Sequence, residues 1–560
     1  MIVMVQQKWI ALSNTTLGQL LVTINTSIII VALPPIFKGI GLNPLSSGLF
    51  SYLLWVIMSY MIVVSVLLLT VGRMSDMFGR VRLFKLGFLI FTVGSILLYL
   101  TPGKGGTGAL ELIFFRVIQA VGGSFILANS FAIITDNFDT SERGFAISLN
   151  SVASVSGVSI GIVLGGLLSV IYWRDVFLLS VPFGIFGTLW SYLKLKETST
   201  RMKQKIDVIG NILFAGSIIL LSLGVTYGIT PYGNSPMGWI NPDVIAALFF
   251  GLATFIVFIF WEKGTESPMF HLHHFRSRGF AIGAYTNFMS AMTMMGLLYM
   301  LTLLFQGIWL PLNGYAFSVT PLWAGIYMLP MTVSMAVVGV IAGKLSDRIG
   351  PRLLTVAGLF ISGMAILSLT FLPYNFDYIW MGLIISLFGV GYGLFNSPNI
   401  SAAMSSVPAS ERGSASGMLN NMRNTGYVAS MGVFFSILIA GLANNLSSKI
   451  SSALNAVGAS ALSPYLSHMP PTEAIFGAFL GINPAAAILD SLSKLPQSIS
   501  PSAIRLLESS LWFPSVFANP FMAALDMVFY VAGGINIIAS IISIFRSRIT
   551  HKENNSDVVK

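Results

Sequence analysis

Apolar residues in this chain come in long runs broken by short polar or Gly/Pro-containing stretches. The runs repeat at the length of a membrane-crossing helix, which needs about 20 mostly apolar residues. They fall at 11–34, 48–71, 83–101, 107–134, 144–171, 176–194, 207–229, 243–261, 280–306, 320–343, 352–373, 377–403, 413–441 and 524–545. The pattern predicts fourteen transmembrane helices, an even number that puts both termini on one side. Period-two alternation with aromatic girdles, the mark of a membrane β-barrel, is absent. The expected fold is an all-α polytopic membrane protein.

Composition narrows the reading. Of 560 residues, 55% are apolar and 9% charged, against about 25% charged in soluble domains. That is too little charge to cover a soluble globule of this size. The absence of cysteine excludes disulfides, thiolate catalysis, Cys-ligated zinc and iron–sulfur clusters. A net charge of +10 is compatible with a nucleic-acid partner, but the positions of the charges point elsewhere. With a cytoplasmic N-terminus, 22 of the 30 Lys and Arg fall in cytoplasmic loops and tails and six in exterior loops, while Arg116 and Arg423 lie within spans. Three of the exterior six share one long loop, where charge carries little topological weight. The expectation is a multi-pass plasma-membrane protein with both termini cytoplasmic, in contact with lipid and with no nucleic-acid partner. The apolar run after Lys8 is too long for the core of a cleavable signal peptide, so the first span serves as the insertion signal. The long exterior loop, about 443–523, is rich in Ala, Ser and Pro. Its stretch Glu473–Leu492 reads as an amphipathic surface element rather than a fifteenth span.

The chain also repeats itself. After the second span it reads Gly72-Arg-Met-Ser-Asp76-Met-Phe-Gly79-Arg80-Val-Arg82, and after the tenth Gly343-Lys-Leu-Ser-Asp347-Arg348-Ile-Gly350-Pro-Arg352, an offset of 271. Ser141-Glu-Arg-Gly144 and Ser410-Glu-Arg-Gly413 differ by 269, an offset that also superposes Gly157 on Gly426 and Gly122 on Gly391. The repeat divides the chain into a six-helix bundle at 1–206, two inserted helices with a linker at 207–279, and a second six-helix bundle at 280–560 that includes the long loop. Duplicated membrane halves are the usual architecture of secondary transporters, which bind substrate near the midplane where the halves meet.

These residues resemble the major facilitator superfamily, and within it the fourteen-span drug:proton antiporter branch. The motif at 72–82 and 343–352 carries the likeness. It is joined by Arg116-Val-Ile-Gln119-Ala-Val-Gly122-Gly123 in the fourth span, Gly157…Gly161…Gly165-Gly166 in the fifth, and Pro321-Leu-Trp-Ala-Gly325…Leu329-Pro330 in the tenth. The resemblance implies alternating access between the halves and proton-coupled efflux of drug-like or amphipathic small molecules, by a protein that works as a monomer. It also implies that Asn25, Gln119, Asn287, Gln306, Asn396 and Asn399 lie on spans that line the cavity. Two positions depart from the family pattern. Asn25 stands where the first span usually carries an acid, and Ile162 where a proline precedes the glycine pair of the fifth.

Other candidates follow from residue chemistry. Asp76 and Asp347, with Arg80 and Arg348, stand at helix ends where a carboxylate can meet the exposed start of a helix in the other half. By repeat symmetry Asp76 would face the start of span 13 near Gly413, and Asp347 the start of span 5 near Gly144. A charge deep in a span costs at least about 2.5 kcal/mol unless it finds a cavity or a partner. Arg116 and Arg423 are therefore read as cavity-lining or internally paired, with Asn420, Asn421 and Asn424 sharing a polar face with Arg423. Glu111 and Asp526 are the carboxylates nearest membrane depth. Glu111 is the candidate protonatable group, with a snorkelling interfacial residue as the other reading. The glycines Gly157, Gly161, Gly165 and Gly166 allow close helix packing. His271-Leu-His273-His274 beside Glu266 has the residue types of a metal site but no further ligand along the sequence, and is read as an interfacial loop. No cofactor, metal or catalytic cluster is expected, and no Walker A run occurs. The alternatives to drug efflux are a uniporter or exporter of an organic anion or metabolite, and a non-transporting membrane sensor.

Overall fold

The computed structural model describes residues 2–42, 50–138, 140–197, 206–233, 235–265, 268–408, 411–491 and 499–546. Among them fourteen helices are long and apolar enough to cross a bilayer. They are α1 (Gln7–Gly39), α2 (Ser51–Phe78), α3 (Arg80–Tyr99), α4 (Gly105–Asn137), α5 (Leu149–Ile171), α6 (Asp175–Lys194) and α7 (Val208–Gly228). The series continues with α8 (Pro242–Gly264), α9 (Arg278–Leu312), α10 (Phe317–Ser346), α11 (Pro351–Phe371), α12 (Tyr378–Ser405), α13 (Ser414–Ala456) and α14 (Trp512–Ile544). Helices dominate because a backbone in hydrocarbon must satisfy its own N–H and C=O groups. Outward faces stay apolar, as on α8, where Phe249, Phe250 and Phe260 are exposed.

The sequence repeat is also a structural repeat, and glycines make it visible. A methyl added at Gly122 on α4 would collide with the backbone N of Phe91 and lie 2.7 Å from the carbonyl of Gly87, both on α3. Its counterpart Gly391 on α12 meets the backbone of α11 in the same way, 2.5 Å from Ser362 N and 2.7 Å from Gly358 O. Gly157 on α5 abuts the Leu20 carbonyl of α1, and Gly426 on α13 abuts the Phe288 carbonyl of α9. The tight turns between α2 and α3 and between α10 and α11 also match. Gly79 and Gly350 stand there at φ 106° and 83°, a left-handed conformation that other residues rarely adopt. Two pseudo-symmetric six-helix bundles result, with α7 and α8 packed on each other beside α2 and α13. Thr70 of α2 donates to Asn211 of α7, and Gly432 of α13 receives Val225.

The bundles touch closely where α5 crosses α10. Gly166 presses on the backbone of Pro321, and a Cβ added to it would lie 2.6 Å from Leu322 Cα, while Gly325 faces the Ile162 carbonyl. A π-turn at Phe305–Trp309 in α9 turns Gln306 toward α1, where its Nε2 donates to the Val31 carbonyl at 3.1 Å.

The long loop differs from its sequence reading. The helix containing α13 runs on to Ala456 and α14 starts at Trp512, so both ends of that loop are helical. Within it, Pro471–Leu480 is a helix whose residues Ala474 to Phe479 are all buried. That part of the stretch Glu473–Leu492 is buried and does not lie on the surface. Phe476 stacks on Phe435 of α13, and the backbone at Phe479 lies against Gly307. The reason is compositional, since past Glu473 the helix is apolar or glycine on every face and has no side to give to water. Burial correspondingly pushes the Glu473 carboxyl above the usual carboxylate range.

Gly161 offers a direct test of the packing. A Cβ there would sit 2.6 Å from the Ile24 carbonyl and strike Ser27. Gly161→Val is expected to destabilise the protein by about 1–3 kcal/mol, seen as a lower melting temperature in detergent. Gly72→Ala, at a position with open space around it, is expected to leave that temperature unchanged.

Candidate functional site

Two polar features lie inside the bundles, and both are built on arginine. The first is wholly buried. Arg116 on α4 is 1% exposed. Its Nη1 donates to Asn25 Oδ1 on α1 and, at 2.8 Å, to Gln119 Oε1 one turn away. Asn25 Nδ2 in turn donates to Ser180 Oγ of α6 at 3.0 Å, and Gln119 Nε2 to Ser95 Oγ of α3 at 2.8 Å. The guanidinium carbon lies 4.4 Å from the centroid of the Tyr60 ring of α2, a cation–π contact. Side chains from α1, α2, α3, α4 and α6 thus converge on one cation, and no carboxylate is among these partners. Asn25, where an acid was the family expectation, supplies an amide oxygen instead.

The second feature is a cavity between the halves, with about 590 Å³ of space free of atoms when its opening to solvent is included. Its walls come from α1 (Gln19, Thr23, Thr26, Ser27), α2 (Tyr60, Met61), α9 (Met295, Leu298) and α13 (Arg423, Asn424, Tyr427), with smaller contributions from α4 and α5. Among the described residues Arg423 is its one cationic lining residue, and none of those lining it is acidic. Arg423 Nη2 donates to Asn420 Oδ1 at 2.9 Å, while its Nε is buried with no hydrogen-bond partner. Tyr60 belongs to both features, with Arg116 on its ring and the cavity beside it. Two further bonds join the halves here, Ser65 Oγ with Thr425 Oγ1 at 3.1 Å and Asn421 Nδ2 to the Ser65 carbonyl.

Of the residues expected at a cavity, Arg423 and its neighbour Asn424 line it, and the others are engaged elsewhere or lie outside its walls. Asn25, Arg116 and Gln119 form the buried cluster. Asn287 donates to the Leu419 carbonyl of α13 at 2.8 Å, and Gln306 reaches Val31 as described. Asn420 lies between Arg423 and the Ser416 carbonyl. Asn396 Oδ1 is buried without a partner. Glu111 is turned away from the interior, its Oε2 accepting from the Gly103 backbone N–H at 2.8 Å just outside α4. Asp526, on α14, keeps a buried Oδ1 with no hydrogen-bond partner. A second fully buried arginine lies just past the end of α14. Arg546, a charge of the cytoplasmic tail by the span pattern, is 2% exposed and donates to Asn399 Oδ1. Burial lowers its pKa to about 10.

At the repeated motif, the described ion pairs stay within the first half. Arg80 Nε donates to Asp76 Oδ1 at 3.0 Å and Nη1 to Asp136 Oδ1. The carboxylate at the start of α3 is Glu197, which accepts from the N–H groups of Val81 and Arg82 at 3.1 and 3.2 Å. That is the favoured place for an anion on a helix. In the second half Arg348 is exposed. The side chain of Asp347 lies outside the described residues, as does Glu266, and no contact is described at Gly144 or Gly413.

The lining threonines, tyrosines and methionines were missed along the sequence. A signal existed in α1, where Gln19, Thr23, Thr26 and Ser27 fall at i, i+4, i+7 and i+8 and so mark one polar stripe on an otherwise apolar helix.

An all-helical chain of two matched six-helix bundles around a polar central cavity has the plan of a membrane transporter. The chain belongs to the Major Facilitator Superfamily, whose family model matches residues 15–431. Among curated relatives, the riboflavin transporter RibZ of Clostridioides difficile (strain 630) is 26% identical over 445 residues, covering 79% of this chain and 90% of that protein. The multidrug resistance protein Stp of Mycobacterium tuberculosis (strain CDC 1551 / Oshkosh) is 28% identical over 440 residues, 78% of this chain and 77% of that one. Among solved structures, a bacterial homolog of the human lysosomal transporter Spinster matches with a TM-score of 0.56 at 17% identity, over 97% of this chain and 99% of that one. The structural likeness establishes the fold.

The amide cage around Arg116 yields a paired prediction. Asn25→Leu removes a hydrogen bond to a buried cation and is expected to cost about 1.5–3 kcal/mol, read as a lower melting temperature in detergent. Asn25→Asp keeps an acceptor oxygen on Arg116 and is expected to retain the wild-type melting temperature or exceed it.

Proposed function

We propose that this protein is a secondary active transporter of the plasma membrane, exporting amphipathic, drug-like small molecules by alternating access of its two bundles, with protons as the coupling ion. It works as a monomer with both termini and the repeated motif on the cytoplasmic side, as the clustering of Lys and Arg in those loops favours. The observation that carries this reading is the cavity at the seam, whose walls come from both halves and therefore change when the halves rock. Methionines and tyrosines in those walls, at Met61, Met295, Tyr60 and Tyr427, suit varied apolar and aromatic ligands. The multidrug resistance names among the relatives agree with it.

The charge of the cavity refines the substrate class. One arginine and no carboxylate line it, so neutral and anionic amphipaths are accommodated better than lipophilic cations. This same observation favours the second reading, export or uniport of an organic anion or metabolite, and the riboflavin transporter among the relatives belongs with it. For proton coupling, Asn25 is not an acid and Glu111 is engaged by Gly103. Asp526, with its partnerless buried oxygen, is the carboxylate assigned to coupling.

Reconstitution into proteoliposomes under an imposed pH gradient tests these statements. An anionic aromatic dye is expected to accumulate faster than a lipophilic cation of equal size. Arg423→Gln is expected to slow dye accumulation at least about tenfold, the loss of one charge-assisted contact. Asp526→Asn is expected to abolish the response to the gradient while dye exchange at equal pH persists. Gradient-independent uptake by the wild type indicates a uniporter, and no movement of any tested solute removes the transport reading.

A further inference from the structure

The linker between α8 and α9 folds into a short 3₁₀ turn, Leu272–Arg276, which brings two consecutive imidazoles to one side. The rings of His273 and His274 lie 4.3 Å apart, centroid to centroid. They face Glu411, far away in sequence, at the start of the helix that continues into α13. His273 Nε2 lies 2.8 Å and His274 Nδ1 3.4 Å from the same carboxylate oxygen, and the three donor atoms lie within 4.8 Å of one another. Zinc binds imidazole nitrogen and carboxylate oxygen at about 2.0–2.2 Å, so tetrahedral ligand pairs stand roughly 3.3 Å apart. The observed spacings bracket that value.

The cluster sits on a held scaffold. Glu262 of α8 accepts from the backbone N–H groups of Met269 and Phe270, at 3.2 and 3.1 Å. His271 Nδ1 bonds the Ser414 hydroxyl at 2.9 Å, and Ser277 Oγ donates to the Ser406 carbonyl at 3.2 Å. The linker is thus tied to the α12–α13 turn on both sides of the two histidines, which limits the ordering needed to bind an ion. His273 and Glu411 remain partly open to solvent at 49% and 39% side-chain exposure, which gives an ion access.

We propose that His273, His274 and Glu411 form a binding site for one zinc-class divalent ion, with water completing the coordination. Two imidazoles and one carboxylate, with no thiolate, select zinc-class ions over magnesium and calcium, which prefer all-oxygen sites. The ion would staple the inserted helix pair's linker to the start of α13, the helix that carries Arg423, Asn424 and Tyr427 into the cavity. The site stands independently of the efflux reading, because metal binding is measured without any transported substrate.

The experiment uses the full chain, purified in detergent on a tag free of histidine, stripped with a chelator and titrated calorimetrically with zinc chloride. The expected result is one zinc per chain, undisturbed by millimolar magnesium, with a zinc-dependent rise in melting temperature. His273→Ala, at a half-exposed position that folding tolerates, and the isosteric Glu411→Gln are each expected to weaken binding at least about tenfold and to abolish the thermal shift. His468→Ala, outside the cluster, is expected to bind as the wild type does. Absence of stoichiometric zinc in the wild type overturns the proposal, and so does unchanged binding in His273→Ala.

Discussion

Close approach of helix backbones at glycine is the contact on which the rest of this structure depends. Lipid tails are as apolar as leucine, so helices in a bilayer gain little by hiding apolar surface from one another. What holds them is dense packing, and density requires positions without side chains. Gly122 against α3 and Gly391 against α11 supply it in the two halves, while Gly157, Gly161 and Gly165 supply it between α5 and α1. Gly166 does the same across the seam, where it meets Pro321 and Leu322. Both the matched bundles and the crossing between them are therefore set by absent methyl groups.

Against that packed background, the polar interior falls into two kinds. Arg116 is fully enclosed, and its hydrogen-bonding partners are amides backed by hydroxyls. Such a cage solvates a cation without neutralising it, so the first half keeps an internal positive charge beside Tyr60. Arg423 instead faces open space with its Nε unpartnered. The difference is one of depth within the bundle, because both residues sit on long apolar helices and both have amides three positions away, Gln119 and Asn420.

The segments outside the spans are more structured than their composition suggests. The helix Pro471–Leu480 is buried among α1, α9, α13 and α14 on the side opposite the repeated motif, filling space that a simple loop would leave open. On the motif side the histidine linker is fastened to the start of α13. Both the start and the middle of α13, the longest of the fourteen helices, are therefore in contact with elements that do not cross the membrane.

Much of this was legible along the chain. Run lengths and charge distribution predicted fourteen spans, and the two offsets of 271 and 269 predicted matched halves, because membrane thickness and duplicated packing leave periodic marks in sequence. The glycines of α5 stood out as packing positions, and Arg116 as a charge that must find either a cavity or a partner, with the choice between the two left open. Tertiary structure alone decided which polar residue faces which. Asn287, Gln306 and Gln119 have the same chemistry as cavity residues, yet they bond neighbouring helices, while Thr26, Met61 and Tyr427 form walls. The 138 residues separating His273 from Glu411 likewise hide a cluster that no local spacing reveals. Helix formation depends on a residue and its near neighbours, so sequence records it. Which face of a helix meets a cavity depends on how all the helices pack, and that is settled only in three dimensions.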